Sequence, residues 1–258
     1  MPPLESPFIS EMRFEMNESE KELIVLEIGR QPYRPVWEFQ KTLHALRLQK
    51  KIPDVLILLE HDPVYTIGKN GTDLHIIAPP DVLKEKGIDV VAVDRGGDVT
   101  YHGPGQVVGY PIFDLRQHRR SISWFMRTLE EVFLRTLAEW QIAAGRVEDF
   151  TGVWVGDEKI VALGVRIAKW ITMHGFAFNV NTELDYFGGI IPCGIFHRGV
   201  TSLKSLLRRE IPLPEVHDKV IANFVELFGF AKMSRRLREA NLEKALIQLA
   251  PDKAYPVS

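Results

Sequence analysis

Residues 190–195 read Ile190-Ile191-Pro192-Cys193-Gly194-Ile195, and Cys193 is the one cysteine of the chain. Proline stiffens the backbone on one side of the thiol, and glycine on the other lets a second molecule approach closely, a setting suited to nucleophilic attack. A free cysteine is equally at home as a small buried hydrophobe, so the segment alone leaves both readings open. A thiol of ordinary acidity, with a pKa near 8.5, needs a neighbouring base or cation to supply thiolate at neutral pH. Lys159 opens the strand-like run Lys159-Ile160-Val161-Ala162-Leu163-Gly164-Val165, where two-residue alternation puts its side chain on a face with Val161, Leu163 and Val165. Partly desolvated there, it favours the neutral amine and is a usable base. Solvated, it is an ammonium and a usable counter-ion.

Two further segments carry chemical groups or make room for them. Arg95-Gly96-Gly97-Asp98-Val99-Thr100-Tyr101-His102-Gly103-Pro104-Gly105-Gln106 packs four glycines and a proline into twelve residues beside Arg, Asp, Tyr and His. Such a loop suits close contact between backbone and a ligand, although an ordinary connection uses the same residues. It lacks the Lys-Ser/Thr ending of a phosphate-binding loop. Thr172-Met173-His174-Gly175-Phe176-Ala177-Phe178-Asn179-Val180 alternates with the small residues Gly175 and Ala177 on one face. Together with Ala162 and Gly164 these leave space for a narrow slot that takes an apolar chain, or for close helix packing. His102 and His174 read as hydrogen-bonding residues, because the eight histidines include no His-Glu-x-x-His pair and no metal site is expected.

The elements that position these groups follow from periodicity. Strands are expected over residues 21–28, 54–59, 64–67, 88–93 and 106–113, and helices over 35–50, with Val36, Phe39, Leu43 and Leu46 inward, and over 79–86. The clearest helix spans residues 121–140, with Trp124, Phe125, Leu129, Val132, Phe133, Thr136 and Leu137 as its apolar stripe and charges opposite. Three consecutive strands, 152–155, 159–167 and 171–180, form a meander, so the sheet is mixed. The tail beyond Ser202 reads as helical, with 214–228 and 236–249 the better segments. The class is α+β: a mixed β-sheet flanked by helices, with a helical C-terminal end. Residues 1–19 read as a mobile extension, 20–230 as the main domain and 231–258 as a helical tail.

Composition bounds the partners. The chain has 258 residues, with 32 basic and 34 acidic side chains and a formal net charge of −2. That balance gives no electrostatic footprint for nucleic acid. No apolar run approaches the roughly 20 residues that cross a bilayer. Glu5, Glu11, Glu15, Glu18 and Glu20 against Arg13 alone argue against a secretory or transit segment. A lone cysteine forms no internal disulfide, so a reducing, cytoplasmic home is expected, and a monomer is the default.

Taken together, these segments resemble the octanoyltransferase family, the acyltransferases of lipoate biosynthesis. The matching motifs are Glu60-His61-Asp62-Pro63-Val64-Tyr65-Thr66-Ile67-Gly68, the loop from Arg95 to Gln106, Gly152-Val153-Trp154, Lys159 to Val165, Trp170 to Val180, Ile190 to Ile195 and Val200-Thr201-Ser202. They cover most of residues 55–205, in family order. The resemblance implies the fold of biotin and lipoate protein ligases and an acyl-enzyme mechanism without a cofactor. Cys193 is then the nucleophile and Lys159 its activating partner. Arg95, Gly96, Gly97, Asp98, Val99, Thr100, Tyr101 and His102, with Ala162, Leu163, Gly164, Gly175, Phe176 and Ala177, line the substrate site. The implied partners are octanoyl acyl carrier protein as donor, and as acceptors the lipoyl domains of 2-oxoacid dehydrogenase E2 subunits and the glycine cleavage H protein. Acyl carriers are typically acidic, so Arg119, Arg120, Lys204, Arg208 and Arg209 are candidates for a receiving patch. The competing readings are an ATP-dependent lipoate or biotin ligase, for which no Gly-Arg-Gly-Arg type loop is present, and a binding module without catalysis.

Overall fold

The computed structural model describes residues 21–191 and 199–250. The expected extension at residues 1–19 and the Cys193 segment lie outside them. The chain enters on β1 (Glu22–Gln31), crosses one face on α1 (Tyr33–Leu48) and returns as β2 (Asp54–His61), which pairs parallel with β1. This is a right-sized crossover for a parallel pair. β2 continues antiparallel to β6 (Gln106–Ile112), and the sheet then runs through β10 (Ile171–Asn179), β9 (Glu158–Ala168), β8 (Phe150–Val155) and β7 (Gly145–Val147), each antiparallel to its neighbour. On its far side β1 is flanked, in parallel, by β12 (Lys232–Arg238). The two-residue β11 (Gly199–Val200) pairs with β9.

Both faces of this sheet are covered, and the strands show it. Along β1 and β2 the side chains of Leu23, Val25, Leu56 and Leu58 enter one core while Ile24, Leu26, Val55, Ile57 and Leu59 enter the other. Period-two alternation thus produces continuous apolar runs because neither face meets water. The first core lies under α3 (Ile122–Ala138) and α5 (Leu213–Leu227), with Phe133 edge-on to Phe176 at 4.6 Å between ring centroids. Ser121 caps α3 by accepting from the Trp124 amide at 3.2 Å. The second core lies under α1, where Val36, Phe39, Leu43 and Leu46 are all buried as their spacing predicts, and under α6 (Leu242–Leu249).

A second, three-stranded sheet was not anticipated. β3 (Val64–Ile67) sits between β4 (Asp89–Ala92), parallel to it, and β5 (Val99–His102), antiparallel to it. Val99–His102 of the glycine-rich segment are therefore strand. α2 (Pro80–Glu85) precedes β4, and α4 (Leu203–Leu207) follows β11. The C-terminal end is helical over α6, but residues 232–238 are strand where the periodicity over 236–249 predicted helix. The reason is long-range: Arg236 and Arg238 reach Glu27 on β1, so a charged segment gains a parallel partner that no local pattern announces. Among the described residues no helix is long and apolar enough to cross a membrane.

Candidate active site

A cavity of about 480 Å³ opens where the small sheet meets β9 and β10 of the large one. Its small-residue wall comes from register. Gly164 faces Gly175 and Ala162 faces Ala177 across the β9–β10 ladder, so four side chains of one atom or none are grouped there. Phe176, between them, turns its ring to the opposite face against Phe133.

Lys159 reaches this cavity by a route that simple alternation does not give. The β8–β9 register shifts by one residue between Val153 and Trp154, so that Val153 pairs with Val161 but Trp154 pairs with Lys159. The extra residue is a β-bulge, which re-aims the side chains beyond it. Ile160 and Val161 consequently both enter the α3/α5 core. Lys159 therefore does not share the face of Val161, Leu163 and Val165. It stands with Ala162 and Gly164 on the cavity, its ammonium nitrogen 4.8 Å from the centre of the Trp154 ring.

The glycine-rich loop forms the facing wall and is clamped on both sides. Gly96 donates to the Val165 carbonyl on β9 at 2.9 Å, and Lys69 and Asn70, after β3, donate to the carbonyls of Arg95 and Gly97 at 3.0 and 3.1 Å. A Cβ on Gly164 would stand 3.0 Å from the Gly96 oxygen and 3.2 Å from Arg95 Cδ, so a side chain here would force the loop to give by a few tenths of an ångström. Arg95 is buried and donates to the Thr66 carbonyl at 2.7 Å, to Thr66 Oγ1 at 2.8 Å and to the Gly96 carbonyl at 3.0 Å. Asp98 accepts from the Val99 amide at 2.7 Å and from His75 Nδ1 at 2.8 Å.

Of the loop residues expected at the site, Arg95, Gly96, Gly97, Asp98, Val99, Thr100 and His102 line the cavity, as do Lys159, Ala162, Leu163, Gly164, Gly175, Phe176 and Ala177. Tyr101 does not. Alternation along β5 turns it into the small core, where its ring stacks on Tyr186 at 4.9 Å. Tyr33, Gln106, Tyr110, Trp154 and Asn179 join the lining; Gln106, Trp154 and Asn179 fall within the motifs of the resemblance, and Tyr33 follows no local signal at all. Arg119, Arg120, Lys204, Arg208 and Arg209 are exposed and none lines the cavity, and Lys204 is bonded to Glu210 at 3.0 Å.

The histidines at the deep end are held neutral. Gln106 Nε2 donates to Asn179 Oδ1 at 3.0 Å and to the Tyr101 carbonyl at 3.1 Å, which leaves Gln106 Oε1 as the acceptor of His102 Nδ1 at 2.9 Å. The lone pair of His102 is then on Nε2. Burial first, and the neighbouring His61 and Arg95 second, push the His102 pKa well below its ordinary value. His174 donates from Nε2 to Asp94 at 2.8 Å and accepts from the Tyr33 hydroxyl at Nδ1, 3.4 Å away. Burial holds it at about 4 despite the Asp94 carboxylate. Its backbone is left-handed, φ 54°, and its amide leaves the ladder to donate to Gln40 Oε1 at 2.9 Å. His61, bonded to Tyr110 and the Gln31 carbonyl, is likewise held near 4 by burial.

Cys193 lies outside the described residues, but the residues flanking its segment are placed. On one side Ile190 bridges to Ile76, and the Ile191 amide donates to the His75 carbonyl at 2.8 Å. On the other, Gly199 and Val200 pair with Glu158 and Lys159 and line the cavity.

Residues 32–225 match the model of the Lipoyl protein ligase A/B catalytic domain. An octanoyltransferase of Caldicellulosiruptor bescii is 51% identical over 207 residues, 80% of this chain and 91% of the relative, and one of Desulforamulus reducens is 44% identical over 209 residues, covering 81% and 92%. The chain belongs to the octanoyltransferase family. It is an acyltransferase. The fold extends further: the crystal structure of lipoate-protein ligase A bound with ATP superposes with a TM-score of 0.64 at 20% identity, over 93% of this chain and 97% of that one. At that identity the likeness carries the architecture alone, so the mixed sheet with flanking helices is that of the lipoate ligases.

Proposed function

We propose that this octanoyltransferase takes the octanoyl group from octanoyl acyl carrier protein onto Cys193 as a thioester. It then passes the group to a lysine amine on the lipoyl domains of 2-oxoacid dehydrogenase E2 subunits and on the glycine cleavage H protein. The observation that carries the reading is the convergence of the Ala162–Gly164 and Gly175–Ala177 slot, Lys159 and the Gly199–Val200 flank of the cysteine segment on one cavity. A slot walled by alanine and glycine beside neutral polar groups suits an uncharged acyl chain.

The chemistry balances without ATP. The Cys193 thiolate adds to the carbonyl carbon of the donor thioester, and the tetrahedral intermediate expels the carrier's sulfur, which takes up a proton. The acceptor amine then adds to the enzyme thioester, loses a proton, and expels the Cys193 thiolate. One thioester is exchanged for another of similar energy, and the amide that follows is more stable than either. Lys159 supplies the activation that a thiol of ordinary acidity needs at neutral pH.

Intact-protein mass spectrometry after mixing with octanoyl acyl carrier protein tests this directly. Wild type is expected to gain one octanoyl group, labile to hydroxylamine, with no ATP present. Cys193→Ser is expected to lose transfer to a lipoyl domain, and Lys159→Ala to lower its rate by about 10²–10⁴-fold. Labelling that appears only with ATP and free octanoate would instead make the chain a ligase. Unchanged transfer in both variants would remove these residues from the mechanism.

A further inference from the structure

We propose that His174 is the end wall of the acyl slot and sets the longest chain that the protein accepts. This rests on the reading that the slot of Ala162, Gly164, Gly175 and Ala177 holds the acyl chain, and it names the residue that stops that chain. Among the described residues, the cavity is lined on β9 by side chains between Lys159 and Val165 and on β10 by side chains between Asn179 and His174. Val165 and His174 are partners across the ladder, so one rung bounds the cavity on both strands. The rungs before it are Ala162 with Ala177 and Gly164 with Gly175. A floor of small residues therefore ends on an imidazole ring.

That ring reaches the cavity through a local departure from the strand. Alternation along β10 would place His174 with Phe176 and Phe178, which enter the core under α3 and α5. Its ring instead lies 6.3 Å from Trp37 on α1 and edge-on to Tyr110 at 6.3 Å. Phe176 pairs with Gly109, and the Thr172 amide donates to the Phe113 carbonyl at 3.0 Å, so by count Pro111 faces His174. Proline has no N–H to give, and the ladder opens there. His174 turns left-handed at φ 54° and gives its amide to Gln40 Oε1 at 2.9 Å. Such a backbone is costly for a residue with a side chain, and strain of this kind persists where a group must be aimed. The aim is then fixed. Nε2 donates to Asp94 at 2.8 Å and Nδ1 accepts from the Tyr33 hydroxyl at 3.4 Å, so both ring nitrogens are engaged and the ring offers the cavity no free polar atom. Burial also keeps the ring uncharged at neutral pH. A fixed, neutral ring tolerates the methyl end of a chain and leaves no room for a longer one.

Competition in one tube between octanoyl, decanoyl and dodecanoyl acyl carrier protein, read as the ratio of kcat/KM values for transfer to a lipoyl domain, tests this. Wild type is expected to favour octanoyl over dodecanoyl by more than about tenfold. His174→Gly accepts the left-handed backbone and removes the wall, and it is expected to raise the dodecanoyl-to-octanoyl ratio by about tenfold or more. His174→Asn, which tolerates the same backbone with a shorter side chain, is expected to move the ratio toward decanoyl. A merely structural role for His174 would lower transfer of all three chains alike and leave the ratios where they were, which overturns the proposal. Ala177→Leu, which fills the slot ahead of the wall, is expected to favour butanoyl over octanoyl. If it does so while the His174 variants leave the ratios unmoved, the slot reading stands and the proposal falls; if Ala177→Leu changes no ratio, both fall. Should neither His174 variant fold, the wild-type profile decides, and dodecanoyl transferred as well as octanoyl counts against an end wall.

Discussion

Gly152 on β8 has φ +130°, a conformation that side chains avoid, and a Cβ there would stand 2.6 Å from the Val161 carbonyl oxygen and 3.3 Å from Lys159 Cε. Gly152→Ala therefore strains the backbone and pushes on the lysine at once. We expect it to lower the unfolding free energy by about 2–4 kcal/mol and to slow octanoyl transfer in the fraction that remains folded. Urea denaturation and a transfer assay on the same preparation check both effects, and an unaltered rate in folded protein would show that Lys159 has slack. At this scale the sequence was legible in kind more than in orientation. The small-residue slot could be read from alternation because β9 and β10 pair in register over it. The face of Lys159 could not, since one inserted residue reverses everything beyond it and a bulge leaves no mark on hydrophobic periodicity.

β12 and β1 are joined through a charge cluster as well as a ladder. Glu27 accepts from Arg236 at 2.7 and 2.9 Å, from Arg238 at 3.1 Å and from His217 Nδ1 at 2.7 Å. Burial on its own would raise the Glu27 pKa, but the hydrogen bonds from Arg236, His217 and Arg238 override it and hold the group at about 2. The resulting stabilisation is complete above the unfolded carboxyl pKa and is lost as pH falls toward 2. Glu27→Gln leaves a half-buried guanidinium and an imidazole without their anion. The expected outcome is a loss of about 2–4 kcal/mol with faster hydrogen exchange across β12, and wild-type exchange there would show that the backbone ladder alone suffices. The strand was hidden from sequence for the same reason. Its alternate positions are filled with arginines whose partner lies some two hundred residues away, while the apolar spacing of residues 242–249 spreads a helical signal backward over it.

For the molecule as a whole, acid sensitivity follows from the neutral histidines. His61 and His174 titrate near 4 in the folded protein, against about 6.5 in the unfolded chain. Between those values the unfolded state binds more protons, so stability rises with pH. We expect it to be complete near pH 7 and to fall as pH drops from 6.5 toward 4, by about 3 kcal/mol for each of the two. Denaturant titrations at pH 7, 5.5 and 4.5 measure the slope, and a flat profile would mean that these rings titrate in the folded protein as they do in the unfolded chain. The two-faced large sheet and its helices were readable because burial on both sides writes long apolar runs. Of the small sheet, β3 and β4 could be read as strands, but β5 passes for part of the glycine-rich loop and the pairing of the three into a separate sheet leaves no local mark.

The described residues on either side of 192–198 are held by different parts of the fold, Ile191 by the segment that follows β3 and Gly199 by β9. A nascent chain that has completed one sheet without the other holds only one of these two ends. The cavity, lined from both sheets, therefore exists only once they have docked.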